Sequence, residues 1–121
     1  MSRALVSLLV VVVALLGGCS SPGEGWKFER ARSVGDPAVA AINAFRREHG
    51  RVPRDMHELV PKYLSQEGLA ALGADDSIGF EYVVLDKDEF EFRMNYRGPG
   101  TNECVYVADS SPPSWSCFGA Y

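Results

Sequence analysis

Phe80-Glu81-Tyr82-Val83-Val84-Leu85-Asp86-Lys87-Asp88-Glu89-Phe90-Glu91-Phe92-Arg93-Met94-Asn95-Tyr96 is the stretch that decides the fold. Its period is two: Phe80, Tyr82 and Val84 fall on one face of a first strand, and Phe90, Phe92, Met94 and Tyr96 on one face of a second. Successive side chains of a strand point to opposite faces, so this alternation predicts a sheet with one aromatic face and one polar face. The turn-forming run Asp86-Lys87-Asp88 joins the strands into a hairpin. Folding there sets Tyr82 opposite Phe92 and Glu81 opposite Arg93, an aromatic pair on one face and a charge pair on the other.

An aromatic face of that size has to be covered, and the covering elements lie upstream. Apolar residues at Ala38, Ala41, Ile42 and Phe45 recur at helical spacing, while Arg46, Arg47 and Glu48 stay outside the stripe. Asp36-Pro37 offers a cap and a proline suited to the first helical position, and Gly50 offers a stop, so the spacing predicts a helix over 36–49. Gly35 reads as the break before it, and residues 26–34 stay open between strand and helix. A shorter helix is signalled by Asp55 with Glu58 three residues on, the capping-box spacing, ahead of Leu59 and Val60. Residues 65–78 read as a connector with one helical turn near 69–72. Arg97 to Asn102 reads as a flexible connection.

Downstream, Cys104-Val-Tyr-Val and Trp115-Ser-Cys117-Phe alternate again around the Asp109 to Pro113 loop. A second hairpin with residue 107 opposite 114 sets Tyr106 facing Trp115 and Cys104 facing Cys117. Opposed cysteines can meet the alpha-carbon separation a disulfide needs, about 5.5 Å. The expected class is α+β: one main helix plus a short helix packed on an antiparallel β-meander of about four strands.

The first residues carry an address. Arg3 precedes thirteen uncharged residues, Ala4 to Leu16, too few for a membrane-crossing helix of about 20 and typical of a signal core of about 10 to 14. Leu16-Gly17-Gly18-Cys19, followed by Ser20-Ser21, resembles the lipobox of bacterial lipoproteins. That resemblance implies removal of residues 1–18, acylation of Cys19 and tight retention on the membrane through several acyl chains. Ser20 after the cysteine favours the outer membrane facing the periplasm. Residues 19–25 then read as a lipidated tether, and 26–121 as a single domain. Assigning Cys19 to lipid also leaves two cysteines, Cys104 and Cys117, in an oxidising compartment where disulfides persist, and they can pair.

Ala44-Phe45-Arg46-Arg47-Glu48-His49-Gly50-Arg51-Val52-Pro53 and Leu59-Val60-Pro61-Lys62-Tyr63-Leu64 resemble the globular head of type II secretion pseudopilins and pilin-like proteins. The likeness spans about residues 38–64 and implies a helix, a glycine-to-proline exit, a turn and then strands. The chain departs from those proteins at its N-terminus, where a lipobox replaces the long apolar helix that enters a filament. Some pseudopilins bind calcium in a C-terminal loop; Asp75-Asp76 and Asp109 match no such motif, and no metal is expected.

Chemistry is sparse. After the signal the chain carries eleven Lys and Arg against sixteen Asp and Glu, a formal charge of −5, so phosphate-rich nucleic acid is not an expected partner. His49 and His57 sit beside helix boundaries outside any metal or protease spacing, where the helix dipole alone favours histidine. No serine lies in a nucleophile-elbow context. No enzyme activity and no cofactor are expected. Thirteen aromatics serve mainly as core. A candidate partner patch is formed by Arg97, Asn102, Trp115 and Phe118. The expected function is a non-enzymatic, membrane-anchored envelope lipoprotein that binds an unidentified envelope protein, linked to a secretion or surface-assembly system. The alternative is an inhibitor or regulator of an envelope enzyme.

Overall fold

The computed structural model describes residues 21–98, 100–107 and 113–120. The expected signal segment 1–18, Cys19, most of the Asp109 to Pro113 loop and Tyr121 lie outside the described residues. The element order is α1 (Gly25–His49), a 3-10 turn (Met56–Leu59), α2 (Gln66–Ala71), β1 (Ile78–Asp86), β2 (Glu89–Arg97), β3 (Thr101–Val107) and β4 (Ser114–Ala120). The four strands form one antiparallel sheet in sequence order, a meander with β1 and β4 at its edges. The architecture is the α+β arrangement expected, with the helices on one face.

Helix α1 is twenty-five residues long and runs straight through Gly35-Asp36-Pro37, so the helix expected at 36 starts eleven residues earlier. Packing explains the difference. Phe28, Ala31, Gly35, Ala38, Val39, Ala41, Ile42 and Phe45 are all buried, one stripe continuous across the supposed break. Gly35 is buried because the sheet comes close there: a Cβ on it would stand 3.2 Å from the Trp115 ring and 3.3 Å from Phe80. Asp36 does not cap. Its carboxylate accepts from Arg32 Nε and from Trp115 Nε1, each at 2.8 Å. Pro37 is exposed and removes one ladder donor, a loss of up to about 3 kcal/mol in a helix interior that the burial of the stripe outweighs. The helix ends as expected at Gly50, whose φ of 67° is left-handed and whose N–H donates to Arg46 O at 2.9 Å.

The second helix expected after Asp55 is a 3-10 turn of four residues. Asp55 accepts from the amides of His57 and Glu58, and Glu58 reaches back to Arg54 N–H at 2.6 Å, one residue before the cap position a capping box uses. The helical turn expected near 69–72 is α2, set three residues earlier, where Ser65 Oγ caps Gly68 N–H at 2.9 Å.

Both hairpins fold in the expected register. Glu81 pairs with Arg93 and Tyr82 with Phe92, and a bulge follows between Val84 and Asp86. Tyr106 pairs with Trp115, Cys104 with Cys117, and Val107 with Ser114. The Arg97 to Asn102 connection is shorter than expected: Arg97 ends β2, Thr101 and Asn102 belong to β3, and Gly98 N–H closes the turn on Gly100 O at 2.8 Å. Cys104 and Cys117 are disulfide-bonded with their Cα atoms 4.1 Å apart. That is closer than the expected spacing and near the about 4.5 Å of a cross-strand pair without mutual backbone bonds.

The core lies between α1 and the aromatic face of the sheet in two adjoining clusters. One gathers Val39, Ile42, Phe45, Leu59, Leu64, Phe92 and Tyr106; the other gathers Phe28, Ala31, Ile78, Met94, Tyr96 and Cys104. Phe80 and Trp115 pack against both. Ile42, Leu59 and Phe92 are fully buried, each contributing about 1.5–3 kcal/mol of transfer free energy. The expected tether also takes part in the fold, since Gly23 N–H donates to the Tyr96 hydroxyl at 3.0 Å and Gly25 belongs to α1.

Candidate functional site

A sheet sorts its side chains by parity, and parity divides the candidate patch. Pairing of Tyr96 with Asn102, Cys104 with Cys117 and Tyr106 with Trp115 puts Asn102 and Trp115 on the face that α1 covers. Thr101, Glu103 and Phe118 fall on the opposite, outer face, and Arg97 ends β2 beside them. The side chains of Asn102 and Trp115 therefore face α1, and that of Phe118 faces away from it.

Trp115 is half-buried and packs against both core clusters. Its ring centroid lies 6.1 Å from that of Phe92 and 6.0 Å from that of Tyr106, and its indole N–H donates to Asp36. Asn102 is 4 % exposed, and its Nδ2 lies 3.5 Å from Tyr96 O. Gly119, its partner on β4, fits only as glycine, because a Cβ there would stand 2.3 Å from Thr101 O.

Phe118 behaves as expected of a contact residue, with 55 % of its surface exposed. It borders a shallow depression of about 450 Å³ lined by Asn95, Thr101, Asn102, Glu103 and Gly119. Around it the outer face changes character from strand to strand. Across β1 to β3 it carries a charged lattice: Arg93 pairs with Glu91, lies 3.9 Å from Glu103 and stands opposite Glu81. On β4 the same face presents Ser114, Ser116 and Phe118, and the whole strand Ser114–Ala120 has no charged residue. Charges on edge strands normally discourage pairing with other chains, and β4 lacks them.

The histidines lie at the other end of α1. His49 stacks on Phe45 at 4.2 Å between ring centroids, and its Nε2 lies 3.0 Å from the Tyr63 hydroxyl. That hydroxyl donates to Glu48 at 2.5 Å, and Lys62 Nζ donates to the other oxygen of the same carboxylate at 2.5 Å. Lys62 first, then Tyr63, hold Glu48 below the usual carboxylate range, while burial and Glu48 push the Tyr63 phenol up. The cluster braces the end of α1 against the 61–64 turn. Nearby, Arg51 and the Arg54 amide hold Glu58 down to about 2. Desolvation, then the Glu58 charge, pushes the Tyr82 phenol up to about 12, and its hydroxyl donates to Pro53 O at 2.6 Å. His57 is exposed, 3.7 Å from Asp55. Among the described residues no group of three His, Cys, Asp or Glu side chains could hold a metal ion.

A second pole, where α1 begins, drew no attention in the sequence. Trp26 is 69 % exposed, with Lys27 Nζ 5.5 Å from its ring centroid. Lys27 also donates to Arg97 O at 3.0 Å, and Arg30 bridges to Asp75 at 3.1 Å. These residues line one small hollow with Ser77, Ile78 and Tyr96. Helical spacing of Trp26, Lys27 and Arg30 beside the Phe28 stripe could have shown it, had the helix been traced past Gly35.

No protein-family model, no curated protein and no solved structure matches this chain.

Proposed function

We propose that this chain is an exported lipoprotein, held on the membrane by lipid on Cys19, whose domain binds another envelope protein through the outer face of its sheet around Phe118. The carrying observation is the apolar run Ala4 to Leu16 ending in Leu16-Gly17-Gly18-Cys19. One feature of the fold supports it: the remaining cysteines are paired, as suits an oxidising compartment. Docking is supported by the exposed Phe118 beside a depression on an uncharged edge strand, a setting for an extended segment to add to the sheet. The pseudopilin-like residues of α1 and the following turn favour a partner in a secretion or surface-assembly system.

The anchor is tested by Cys19→Ser, which releases the domain to the soluble fraction or leaves unprocessed precursor; mature-sized, membrane-bound Cys19→Ser protein would refute it. The docking face is tested in cells with a photo-crosslinking residue at position 118 and, as control, at Glu81 on the far strand. Capture confined to position 118 supports the assignment, and equal capture at both positions, or none, removes it.

A further inference from the structure

The hollow at the start of α1 faces a constraint that the rest of the surface does not. Gly23 is fastened to Tyr96, and a Cβ on Gly23 would lie 3.2 Å from the Cys117 side chain, so the chain is fixed to the sheet from that point. Gly23 is only four positions along the chain from Cys19. At about 3.3–3.6 Å per residue, a fully stretched connection holds this pole within about 14 Å of an acylated Cys19.

We infer that Trp26, Lys27, Arg30 and Arg97 form a membrane seat: the indole enters the headgroup region and the cations face lipid phosphates, so that the domain stands on the bilayer with the start of α1 down. This rests on the lipoprotein reading above. Tryptophan prefers the membrane interface because its ring is apolar and its N–H polar, and Trp26 is the most exposed large apolar side chain among the described residues. The hollow is lined by three cations and one carboxylate, Asp75, which Arg30 bridges and Ser77 hydrogen-bonds. Glu24 and Glu29 flank it in sequence without lining it, and Glu29 lies toward Arg32 at 4.0 Å. Lys27 uses one donor on Arg97 O, and its ammonium has further donors for a phosphate oxygen. The domain carries net negative charge, so an anionic surface repels it in most orientations and favours the one that presents these cations. The helix end at His49, the far end of the twenty-five-residue α1, then remains clear of the bilayer for a partner.

The test couples the chain from Cys19 to Tyr121, through the Cys19 thiol, to a maleimide lipid in vesicles of phosphatidylglycerol and phosphatidylethanolamine; Cys104 and Cys117 are disulfide-bonded and do not react. This tests the seat whether or not cells acylate Cys19, which the mass of the native N-terminal peptide decides separately. Vesicles with brominated acyl chains quench an indole at the interface. Subtracting a Trp26→Phe sample isolates Trp26, and Trp115, packed in the core, is the internal reference. The expected result is loss of roughly half the Trp26 emission with that of Trp115 unchanged. Lys27→Glu or Arg97→Glu lowers the seated population by about fivefold each, and 1 M salt does the same because screening then acts within about 3 Å. Trp26 emission that ignores brominated lipid overturns the seat. Quenching indifferent to headgroup charge, salt and both reversals overturns the part assigned to the cations. Unquenched Trp26 that instead crosslinks an envelope protein in cells overturns the seat in favour of a protein contact.

Discussion

Replacing both Cys104 and Cys117 with alanine should lower stability by about 3 kcal/mol. The cysteines are thirteen residues apart, and closing a loop of that size removes chain entropy from the unfolded state equivalent to about 3 kcal/mol in the loop-closure model. Cys104 is fully buried in the second core cluster, so loss of the sulfur contacts adds to that figure. Alanine is the right replacement, since serine would bury an unpaired hydroxyl on Cys104's side of the sheet. For roughly 100 ordered residues the unfolding entropy is about 0.2 kcal/mol per degree, so the melting temperature should fall by about 14 °C. The assay is thermal unfolding followed by circular dichroism, comparing oxidised protein, reduced protein and the double variant. Reduced protein should melt close to the double variant, because both lose the same cross-link. A double variant melting within about 3 °C of the oxidised protein would refute the reasoning, as would two titratable thiols in the unreduced domain.

Trp115→Phe should cost about 1 kcal/mol for the lost hydrogen bond to Asp36, plus the lost ring area, whereas Trp115→Ala should cost about 3–5 kcal/mol; urea unfolding separates the two, and a Trp115→Phe variant as stable as the wild type would exclude a role for the indole N–H. Gly35→Leu should destabilise by about 1–3 kcal/mol although leucine is the better helix former, because the sheet leaves no room for the side chain; a raised melting temperature would show that α1 does not approach Trp115 and Phe80 so closely. Glu58 is held at about 2, below its unfolded value of about 4.3, so its ionised form stabilises the fold above pH 4.3 and that contribution is lost as pH falls toward 2. Denaturant titrations of Glu58→Gln should show a smaller loss over that window than the wild type, and an unchanged acid profile would contradict the Arg51 and Arg54 bonding.

Much of this molecule was legible before folding was considered. The hairpin registers follow from alternation up to the turn: counting from Asp86-Lys87-Asp88 gives the pairs from Ile78 to Val84, while Asp86 itself belongs to β1 and pairs with Glu89 past a bulge. The same counting placed Cys104 opposite Cys117 and Tyr106 opposite Trp115. The stop of α1 at Gly50 was equally local, because a left-handed cap needs no distant partner.

What local chemistry could not supply was the purpose of residues whose partners lie far along the chain. Gly35, Asp36 and Pro37 together spell the start of a helix, and each is otherwise employed or overruled. Gly35 makes room for an indole 80 residues later, Asp36 accepts that indole's N–H, and Pro37 is carried by the burial on either side. Parity likewise separated Asn102 and Trp115 from Phe118, a division visible in sequence only once the covered face was known. The sequence by itself determined the strand pairings and the α+β class, because those depend on segment length and period. The tertiary structure decided where the long helix begins, which aromatics are core, and that Trp26 stands exposed at the start of α1, because those depend on which surfaces meet.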